Sequence, residues 1–270
     1  MANNSTKNPV RVVQLSDTHL FESIEGKLLG LNTENSLTQV LELIRQEQPG
    51  TDLVLATGDL SQDGSEASYR RFHDHMNNTF IAPVYWLPGN HDILSTMNLH
   101  KAAESMAPCV IAVNNWQIIM LDSTIEGEVP GYMDNSQLQF LEQSLQASQG
   151  SHVMVCLHHQ PVPVGCKWLD HQLVGNAEQF LKVIDRYDNV RALVWGHVHQ
   201  DFVGERNGVK LMSVPSTCVQ FRPGSEQFGV DDINPGYRWF DLYSDGRIET
   251  SVSRVAEEIS FEVDYASKGY

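Results

Sequence analysis

The sequence lacks a long apolar run and contains few cysteines. No stretch approaches the roughly 18 consecutive apolar residues of a transmembrane helix, and the N-terminal residues MANNSTKNPV carry no apolar signal-peptide core. The four cysteines, at positions 109, 156, 166 and 218, are scattered and form no CxxC pair. This distribution argues against a disulfide framework and a structural zinc site. We therefore expect a cytoplasmic protein with reduced thiols and no membrane partner.

Positive charge is also scarce. Lys and Arg total 18 against 34 Asp and Glu, so the formal net charge is −16. Because nucleic-acid affinity depends largely on Lys and Arg, we expect no nucleic-acid partner. A phosphate substrate would be repelled as well, unless bound cations reversed the local charge.

Three widespread nucleotide and hydrolase motifs are missing. The chain has no P-loop, no G-x-S-x-G turn and no G-x-G-x-x-G fingerprint. Their absence argues against P-loop nucleotide hydrolysis, serine esterase chemistry and Rossmann cofactor binding.

The first part of the chain alternates predicted strands and helices. Apolar runs predict strands over 10–15, 52–57 and 82–87, and helical periodicity covers 35–48 and 65–76. This order predicts parallel strands joined by βαβ crossovers. With 270 residues and 41% hydrophobic content, the chain suits one α/β domain spanning 1–270.

After residue 105 the pattern is more mixed. Strands are predicted over 109–113 and 116–122, joined by a tight turn at Asn114-Asn115, and over 152–157 and 190–195; helices are predicted over 135–148, with Asn135 or Ser136 as N-cap, and 177–187. Residues 200–270 are β-rich, with hairpin signals at Asn207-Gly208 and Asp245-Gly246. We expect two mixed sheets packed together, with helices on the outer faces.

Polar clusters follow most of the predicted strands. They supply seven candidate metal ligands: Asp17, His19, Asp59, Asn90, His158, His197 and His199. Open α/β sheets place ligands at the carboxyl ends of their strands. Carboxylate and amide oxygens mixed with imidazoles suit a pair of divalent first-row metals, and two such ions about 3.5–4 Å apart promote phosphoryl displacement.

The order of these clusters is more specific than any one of them. A D-x-H or H-x-H pair alone occurs by chance in many proteins. Here all five clusters occur in series, and glycine precedes Asp59, Asn90 and His197. The series predicts a metal-dependent phosphoesterase.

The same series resembles the calcineurin-like metallophosphoesterase superfamily, whose signature runs D-x-H, G-D, G-N-H-[DE], H and G-H-x-H. The match covers residues 11–199. The segments DTHLF, LLGLNT, ATGDLSQD, WLPGNHD, GCKWLD, PSTCVQF and ASKGY also resemble the bacterial class III cyclic-AMP phosphodiesterases. The resemblance implies a four-layer αββα sandwich with a dinuclear centre, and iron with manganese as the usual metal pair.

The resemblance also implies how the ligands divide between the two ions. One ion would be bound by Asp17, His19, Asp59 and His199, and the other by Asp59, Asn90, His158 and His197. Substrate would contact His19, Asp59, Asn90, His91 and His199. His158 and His159 are adjacent, and the family pattern favours His158 as the ligand; His159 would then pack against it or support it.

Two residues after Asn90 are candidates for the chemistry. A hydroxide bridging the metals would attack phosphorus, and His91 would stabilise the leaving oxygen as an acid or a hydrogen-bond donor. Asp92 either orients His91 or is an acidic residue at a helix N-terminus.

Three further residues are candidates for the substrate pocket. Trp168 either lines the nucleotide pocket or belongs to the core. Phe221 either stacks on adenine or is simply packed, and Arg222 either meets a phosphate or base edge or forms a surface salt bridge.

The expected activity is hydrolysis of 3′,5′-cyclic AMP to 5′-AMP. One alternative is action on other small diesters, such as glycerophosphodiesters or 2′,3′-cyclic nucleotides. Another is a non-catalytic scaffold of the same fold, although the complete ligand set argues against it. A homodimer is compatible with the sequence.

Overall fold

Two mixed β-sheets pack face to face in a computed structural model of the chain. The structure describes residues 8–100, 106–257 and 259–266. Most of the terminal ASKGY segment, residues 267–270, lies outside that part of the chain.

The elements follow the predicted order. The strands are β1 Val10–Leu15, β2 Lys27–Leu28, β3 Leu31–Asn32, β4 Leu53–Thr57, β5 Val84–Leu87, β6 Cys109–Val113, β7 Trp116–Met120, β8 His152–Cys156, β9 Val190–Trp195, β10 Val203–Arg206, β11 Val209–Ser213, β12 Gln220–Phe221, β13 Val230–Asp231, β14 Gly236–Leu242 and β15 Ile248–Arg254. The helices are α1 Thr33–Glu47, α2 Glu66–Thr79, α3 Leu94–Met97, α4 Asn135–Ala147, α5 Lys167–Asp170 and α6 Ala177–Ile184.

The first sheet has the strand order β15-β14-β1-β4-β5. Strands β1, β4 and β5 are parallel, which confirms the predicted βαβ arrangement. Strand β14 pairs antiparallel with β1, and β15 pairs antiparallel with β14. The parallel strands end at one edge, so the turns that follow them lie side by side.

The second sheet has the strand order β10-β11-β9-β8-β7-β6. Its four central strands, β11, β9, β8 and β7, are parallel, and both edge strands are antiparallel to their neighbours. The fully buried strands read as continuous apolar runs, such as VMVC in β8, because both sheet faces are covered.

Three apolar cores separate four layers. The central core fills the space between the sheets, with Val12 and Leu55 from the first facing Ile118 and Met154 from the second. A second core joins the outer face of the first sheet to α1 and α2, and a third joins the outer face of the second sheet to α4 and α6. This is the expected αββα sandwich.

Turn and cap residues define most boundaries. Asn207 and Gly208, with φ of 51° and 80°, join β10 to β11 as the sequence predicts, because both central positions of a type I′ turn need positive φ. The N-cap prediction for α4 was wrong. Asp134 caps this helix by accepting a hydrogen bond from the Gln137 N–H, so Asn135 is already the first helical residue.

Among the described residues, no helix combines the length and the apolar character that crossing a bilayer requires. Cys156, Cys166 and Cys218 are buried free thiols.

Candidate metal centre

The seven predicted ligands lie in turns at the carboxyl ends of strands from both sheets. Asp17 and His19 follow β1, Asp59 follows β4 and Asn90 follows β5. His158 follows β8, and His197 and His199 follow β9. Six of these side chains are buried and Asn90 is half-buried.

Five of the seven ligands have a left-handed backbone. The φ angles are 55° at Asp17, 46° at His19, 50° at Asp59, 63° at His197 and 48° at His199. This conformation is uncommon for residues other than glycine, and it concentrates at functional sites where surrounding structure enforces it. Here neighbouring turns hold each other: the Asp17 N–H donates to the Gly58 carbonyl and the His19 N–H to the Asp59 carbonyl, each at 2.9 Å.

The glycine before each of three ligands allows close packing between turns. A Cβ on Gly89 would overlap the Asp59 carboxylate, and one on Gly58 would overlap the His158 ring. A Cβ on Gly196 would overlap the Ser16 hydroxyl and approach the Asp17 carboxylate to 2.9 Å. The glycines noted in the sequence are therefore where one ligand turn meets the next.

Asp59 lies in the middle of the cluster. Its Oδ2 is 3.2 Å from His158 Nε2 and 3.8 Å from His19 Nε2. Its Oδ1 accepts a hydrogen bond of 2.9 Å from the His91 N–H, which fixes the carboxylate. One oxygen thus faces a histidine from each proposed ligand set, as a bridging carboxylate would.

The other ligands extend from Asp59 in two directions. On one side, His19 Nε2 lies 3.2 Å from His199 Nε2, which is 3.5 Å from Asp17 Oδ1. On the other side, His158 Nε2 lies 3.2 Å from Asn90 Oδ1. The His197 ring centroid is 5.1 Å from that of His158.

Three ligand imidazoles are anchored through Nδ1. Nδ1 of His19 contacts Gln62 Oε1 at 2.7 Å, and Nδ1 of His158 and His199 contacts the carbonyls of Thr57 and Val219, each at 2.8 Å. With its proton on Nδ1 donated to this oxygen, each ring would present an unprotonated Nε2 to a metal ion.

His159 differs from His158 in its partners. Its Nδ1 lies 2.8 Å from the Ser123 hydroxyl and its Nε2 lies 2.9 Å from the Val129 carbonyl. Both ring nitrogens are therefore occupied by protein groups, whereas His158 directs Nε2 at Asp59 and Asn90. This geometry supports His158 as the ligand and His159 as a packing partner.

The donor set fits cations. Nε2 of His197 is buried without a hydrogen-bond partner, and such an orphan is expensive unless another group satisfies it. The ligand atoms of Asp17, Asp59 and His158 lie within 4.8 Å of one another, as do those of His19, Asp59 and His91. Oxygen and imidazole donors at this spacing suit first-row divalent ions.

Electrostatics within the cluster favour an ionised Asp59, a neutral His19 and a protonated His158. Burial opposes ionisation of Asp59, but the charges of His158 and His91 outweigh it and hold the pKa well below the usual value. Burial lowers the pKa of His19 to about 3. At His158 burial also acts to lower the pKa, but the Asp59 carboxylate prevails and raises it to about 9.

His91 and Asp92 lie next to the cluster in different surroundings. His91 is half-buried, with its ring centroid 5.0 Å from that of His19. The Asp92 carboxylate accepts hydrogen bonds from the N–H groups of Leu60, Ser61 and Gly89 and from the Tyr69 hydroxyl. Burial, reinforced by nearby Asp59, raises the pKa of Asp92 to about 7.

Two of the three candidate pocket residues, Phe221 and Trp168, pack beside His199. Phe221 is buried and its ring stacks on His199 at 4.2 Å between centroids with 10° between planes. Trp168 packs edge-on against Phe221 at 5.0 Å, and its buried Nε1 has no hydrogen-bond partner. Arg222 is exposed, and its guanidinium donates to the Val230 carbonyl.

Several supporting groups were not singled out from the sequence. Gln62 lies three residues after Asp59 in GDLSQD, and the segment PSTCVQF supplies the carbonyl that anchors His199. Both segments carried the family resemblance, but a backbone carbonyl leaves no residue-type signal. Cys218, from the same segment, is buried, and burial raises the pKa of its thiol to about 12.

Comparison with known proteins assigns the family. The model of the calcineurin-like phosphoesterase family matches residues 10–201. The chain is 43% identical to the 3′,5′-cyclic adenosine monophosphate phosphodiesterase CpdA of Pseudomonas aeruginosa, covering 98% of this chain and 97% of the relative. It is likewise 43% identical to CpdA of Escherichia coli K12, covering 97% and 95%.

A solved structure agrees on the fold. A dimetal phosphatase from Danio rerio superimposes with a TM-score of 0.65 at 16% identity, covering 93% of this chain and all of that one. With the full-length relatives and the family model, the αββα sandwich and the clustered Asp and His side chains lead to one assignment: this chain belongs to the calcineurin-like phosphoesterase family, whose members use a dinuclear metal centre.

Proposed function

We propose that this protein hydrolyses 3′,5′-cyclic AMP to 5′-AMP at a dinuclear metal centre. The observation that carries the proposal is the central position of Asp59, whose Oδ2 faces His19 and His158. Relatives named as cyclic-AMP phosphodiesterases match almost the entire chain at 43% identity, which supports the substrate.

The proposed ligand sets follow the two sides of Asp59. Asp17, His19, Asp59 and His199 would hold one ion; Asp59, Asn90, His158 and His197 would hold the other. When bound, the ions would lower the pKa of water for attack and neutralise the nonbridging phosphoryl oxygens. In a protein with net charge −16, that neutralisation also removes the barrier to an anionic substrate.

The chain's own residues supply positioning and proton handling. Gln62 and the carbonyls of Thr57 and Val219 hold three imidazoles in one tautomer. His91, half-buried at the rim of the cluster, would stabilise the departing ribose oxygen as acid or hydrogen-bond donor. Its backbone N–H already binds Asp59, so the same turn positions the carboxylate and the imidazole.

Substrate would contact His19, Asp59, Asn90, His91 and His199. Phe221 and Trp168 form one wall beside His199, which is where a base or ribose would approach. Phe221 is buried and its ring face is covered by His199, so contact with adenine would fall to the indole of Trp168. Arg222 is accessible for a phosphate or base edge.

Iron with manganese is the metal pair we propose, on mixed oxygen and imidazole donors. A cytoplasmic location is proposed because the few, scattered cysteines suit reduced thiols. A homodimer is proposed for the active protein, to be tested by its mass in solution.

The decisive experiment is turnover of cyclic AMP, cyclic GMP and 2′,3′-cyclic AMP by protein of measured metal content. We expect hydrolysis of cyclic AMP to 5′-AMP, its loss on chelation, and recovery when Mn²⁺ or Fe²⁺ is restored. Faster turnover of 2′,3′-cyclic AMP or a glycerophosphodiester would favour the alternative substrates. Two bound metals with no turnover of any diester would identify a scaffold and overturn the proposal.

A further inference from the structure

The carboxylate of Asp92 joins two ligand turns, although it belongs to neither proposed ligand set. We call residues 58–61 the Asp59 turn and residues 88–93, which include Asp92, the Asn90 turn. The Asp92 oxygens accept hydrogen bonds of 2.9–3.2 Å from three backbone N–H groups, those of Leu60, Ser61 and Gly89. Two of these donors lie in the Asp59 turn, so this side chain sets how close the two turns lie.

The same two turns are also joined in the opposite direction. Asp59 Oδ1 accepts a hydrogen bond of 2.9 Å from the His91 N–H, so each turn gives a carboxylate to the backbone of the other. This exchange fixes the bridging carboxylate and the residue at the leaving-group position relative to each other. Asp92 can therefore act on the reaction through Asp59 and His91, without touching the substrate.

Tyr69 on α2 holds Asp92 from within the core. Its hydroxyl donates to Asp92 Oδ1 at 3.0 Å and accepts from the Ile93 N–H at 2.8 Å. The side chain is fully buried among the residues that pack α1 and α2 on the first sheet. Burial, reinforced by the charge of Asp92, raises the pKa of this hydroxyl, so it stays protonated and remains a donor. A buried tyrosine with both bonds made is a rigid support.

The residue before Tyr69 fastens α2 to the Asp59 turn as well. The hydroxyls of Ser68 and Ser61 are both buried and lie 2.6 Å apart. The start of α2 thus contacts the Asp59 turn through Ser68 and the Asn90 turn through Tyr69. This helix supports both turns from the side opposite the ligand atoms.

We propose that Tyr69 is a positioning residue: through Asp92 it fixes the distance between the two ligand turns and thereby the alignment of His91. This rests on the hydrolytic function proposed above. A displacement of about 1 Å caused far from the chemistry can lower a rate by roughly 10²-fold. Loss of a group that supports a metal ligand typically lowers affinity or activity by about 10–100-fold. With metal saturating, we expect the loss in kcat, because the substrate still binds but the reacting groups are misaligned.

Tyr69→Phe tests this role because it removes the hydroxyl and keeps the buried ring. Tyr237→Phe is the matched control: its equally buried hydroxyl donates to Glu47 and accepts from Gln48, at the end of α1 and not in a ligand turn. At saturating Mn²⁺ we expect kcat for cyclic AMP to fall by at least roughly 10-fold in Tyr69→Phe, with KM within about 2-fold. Both constants should be unchanged in Tyr237→Phe. Urea midpoints of the metal-free proteins should fall similarly in both variants, which separates positioning from general stability.

Asp92→Asn tests whether Tyr69 acts through the carboxylate. This change keeps the side-chain volume but turns one acceptor oxygen into a donor. Because the two residues contact each other, we expect the kcat losses of Tyr69→Phe and Asp92→Asn to combine in the double variant to well below their product. Losses that multiply in full, or wild-type kcat in folded Tyr69→Phe with two bound metals, would overturn the proposal. If Tyr69→Phe does not fold, Asp92→Asn decides alone, and wild-type kcat there overturns it.

Every variant is also assayed with bis(p-nitrophenyl) phosphate, a diester without a nucleoside. Turnover of this compound by wild-type protein that leaves cyclic AMP intact would contradict the proposed substrate, and the same comparison of kcat would then be made with the synthetic diester. The two proposals can therefore fail separately.

Discussion

At the metal centre, the orientation of each ligand side chain depends on hydrogen bonds to residues of other turns. Asp59 is oriented by the His91 N–H, and three histidines are oriented by acceptors on other turns. Five ligands adopt positive φ, which costs of order 1–3 kcal/mol each unless the surroundings enforce it. The function of each ligand therefore depends on residues that never touch a metal.

His91→Ala tests the leaving-group role. We expect metal content to be retained and kcat to fall by about 10²–10⁴-fold, as general acid catalysis is typically worth. Metal analysis and steady-state kinetics on one preparation measure both. His73→Ala, at a half-buried position of α2 outside the ligand set, serves as control and should leave kcat unchanged. Full activity in metal-replete His91→Ala protein would exclude the role.

Gly89→Ala tests the close approach between ligand turns. The new methyl group would overlap the Asp59 carboxylate, so we expect that side chain to move and metal affinity to fall by roughly 10–100-fold. Metal titration followed by calorimetry measures the loss. Gly50→Ala is the matched control, because its added Cβ has no atom within 4 Å. If Gly89→Ala bound metal as tightly as the wild-type protein, the expected overlap with the Asp59 carboxylate would be contradicted.

The candidate ligands could be chosen from sequence because their residue types and spacing are informative. Asp17 and His19 in D-x-H, or Asn90 after a glycine, leave a visible pattern. The choice between His158 and His159 was less accessible, since it depends on which ring meets Ser123 and Val129. The anchoring carbonyls of Thr57 and Val219 leave no trace in residue type, because every residue has a carbonyl.

Helices and strands were predicted where hydrophobic periodicity is strong. The parallel strands β1, β4 and β5 and the hairpin at Asn207-Gly208 follow directly from apolar runs and turn residues. The order of strands across each sheet did not follow, because β14 joins β1 over more than 220 residues of chain. The start of α4 was missed since Asp134, Asn135 and Ser136 are all good cap residues.

The ionic contacts between α1 and α2 predict how the stability of the fold changes with pH. Glu34 on α1 contacts Arg71 at 3.2 Å and His75 at 2.7 Å on α2. Burial raises the pKa of Glu34, but His75 and Arg71 outweigh it and lower the pKa below its ordinary value. The ionised carboxylate therefore stabilises the fold fully above the unfolded pKa of about 4.3, and the contribution is lost as pH falls through the folded pKa.

Glu34→Gln should accordingly reduce the free energy of unfolding by roughly 1–2 kcal/mol at neutral pH. The difference from wild type should shrink as pH falls below about 4.3. Urea unfolding across this pH range measures it. Glu42→Gln removes an exposed partner of Arg45 and should change stability by less than about 0.5 kcal/mol. If the stability lost in Glu34→Gln did not change with pH, the contribution of Glu34 would not come from its charge.

For the whole molecule, the metal centre links the two sheets, because Asp59 comes from the first and His158 from the second. Ions bound only by the folded state raise its stability by about 2.7 kcal/mol at 100 times Kd. In a chain of this size, a loss of 1 kcal/mol in the free energy of unfolding lowers Tm by roughly 2–4 °C. We therefore expect chelation to lower Tm by about 5–10 °C. Scanning calorimetry with and without chelator measures this, and an unchanged Tm despite complete metal removal would contradict it.

The shared core between the sheets has a consequence for evolution and engineering. Val12, Leu55, Ile118 and Met154 hold no metal, yet they fill the core through which one sheet packs on the other. A methylene gained or lost there would change the spacing between the two halves of the centre. Rate and metal preference can thus drift through substitutions that alter no ligand, and remote packing positions are natural places to tune this hydrolase.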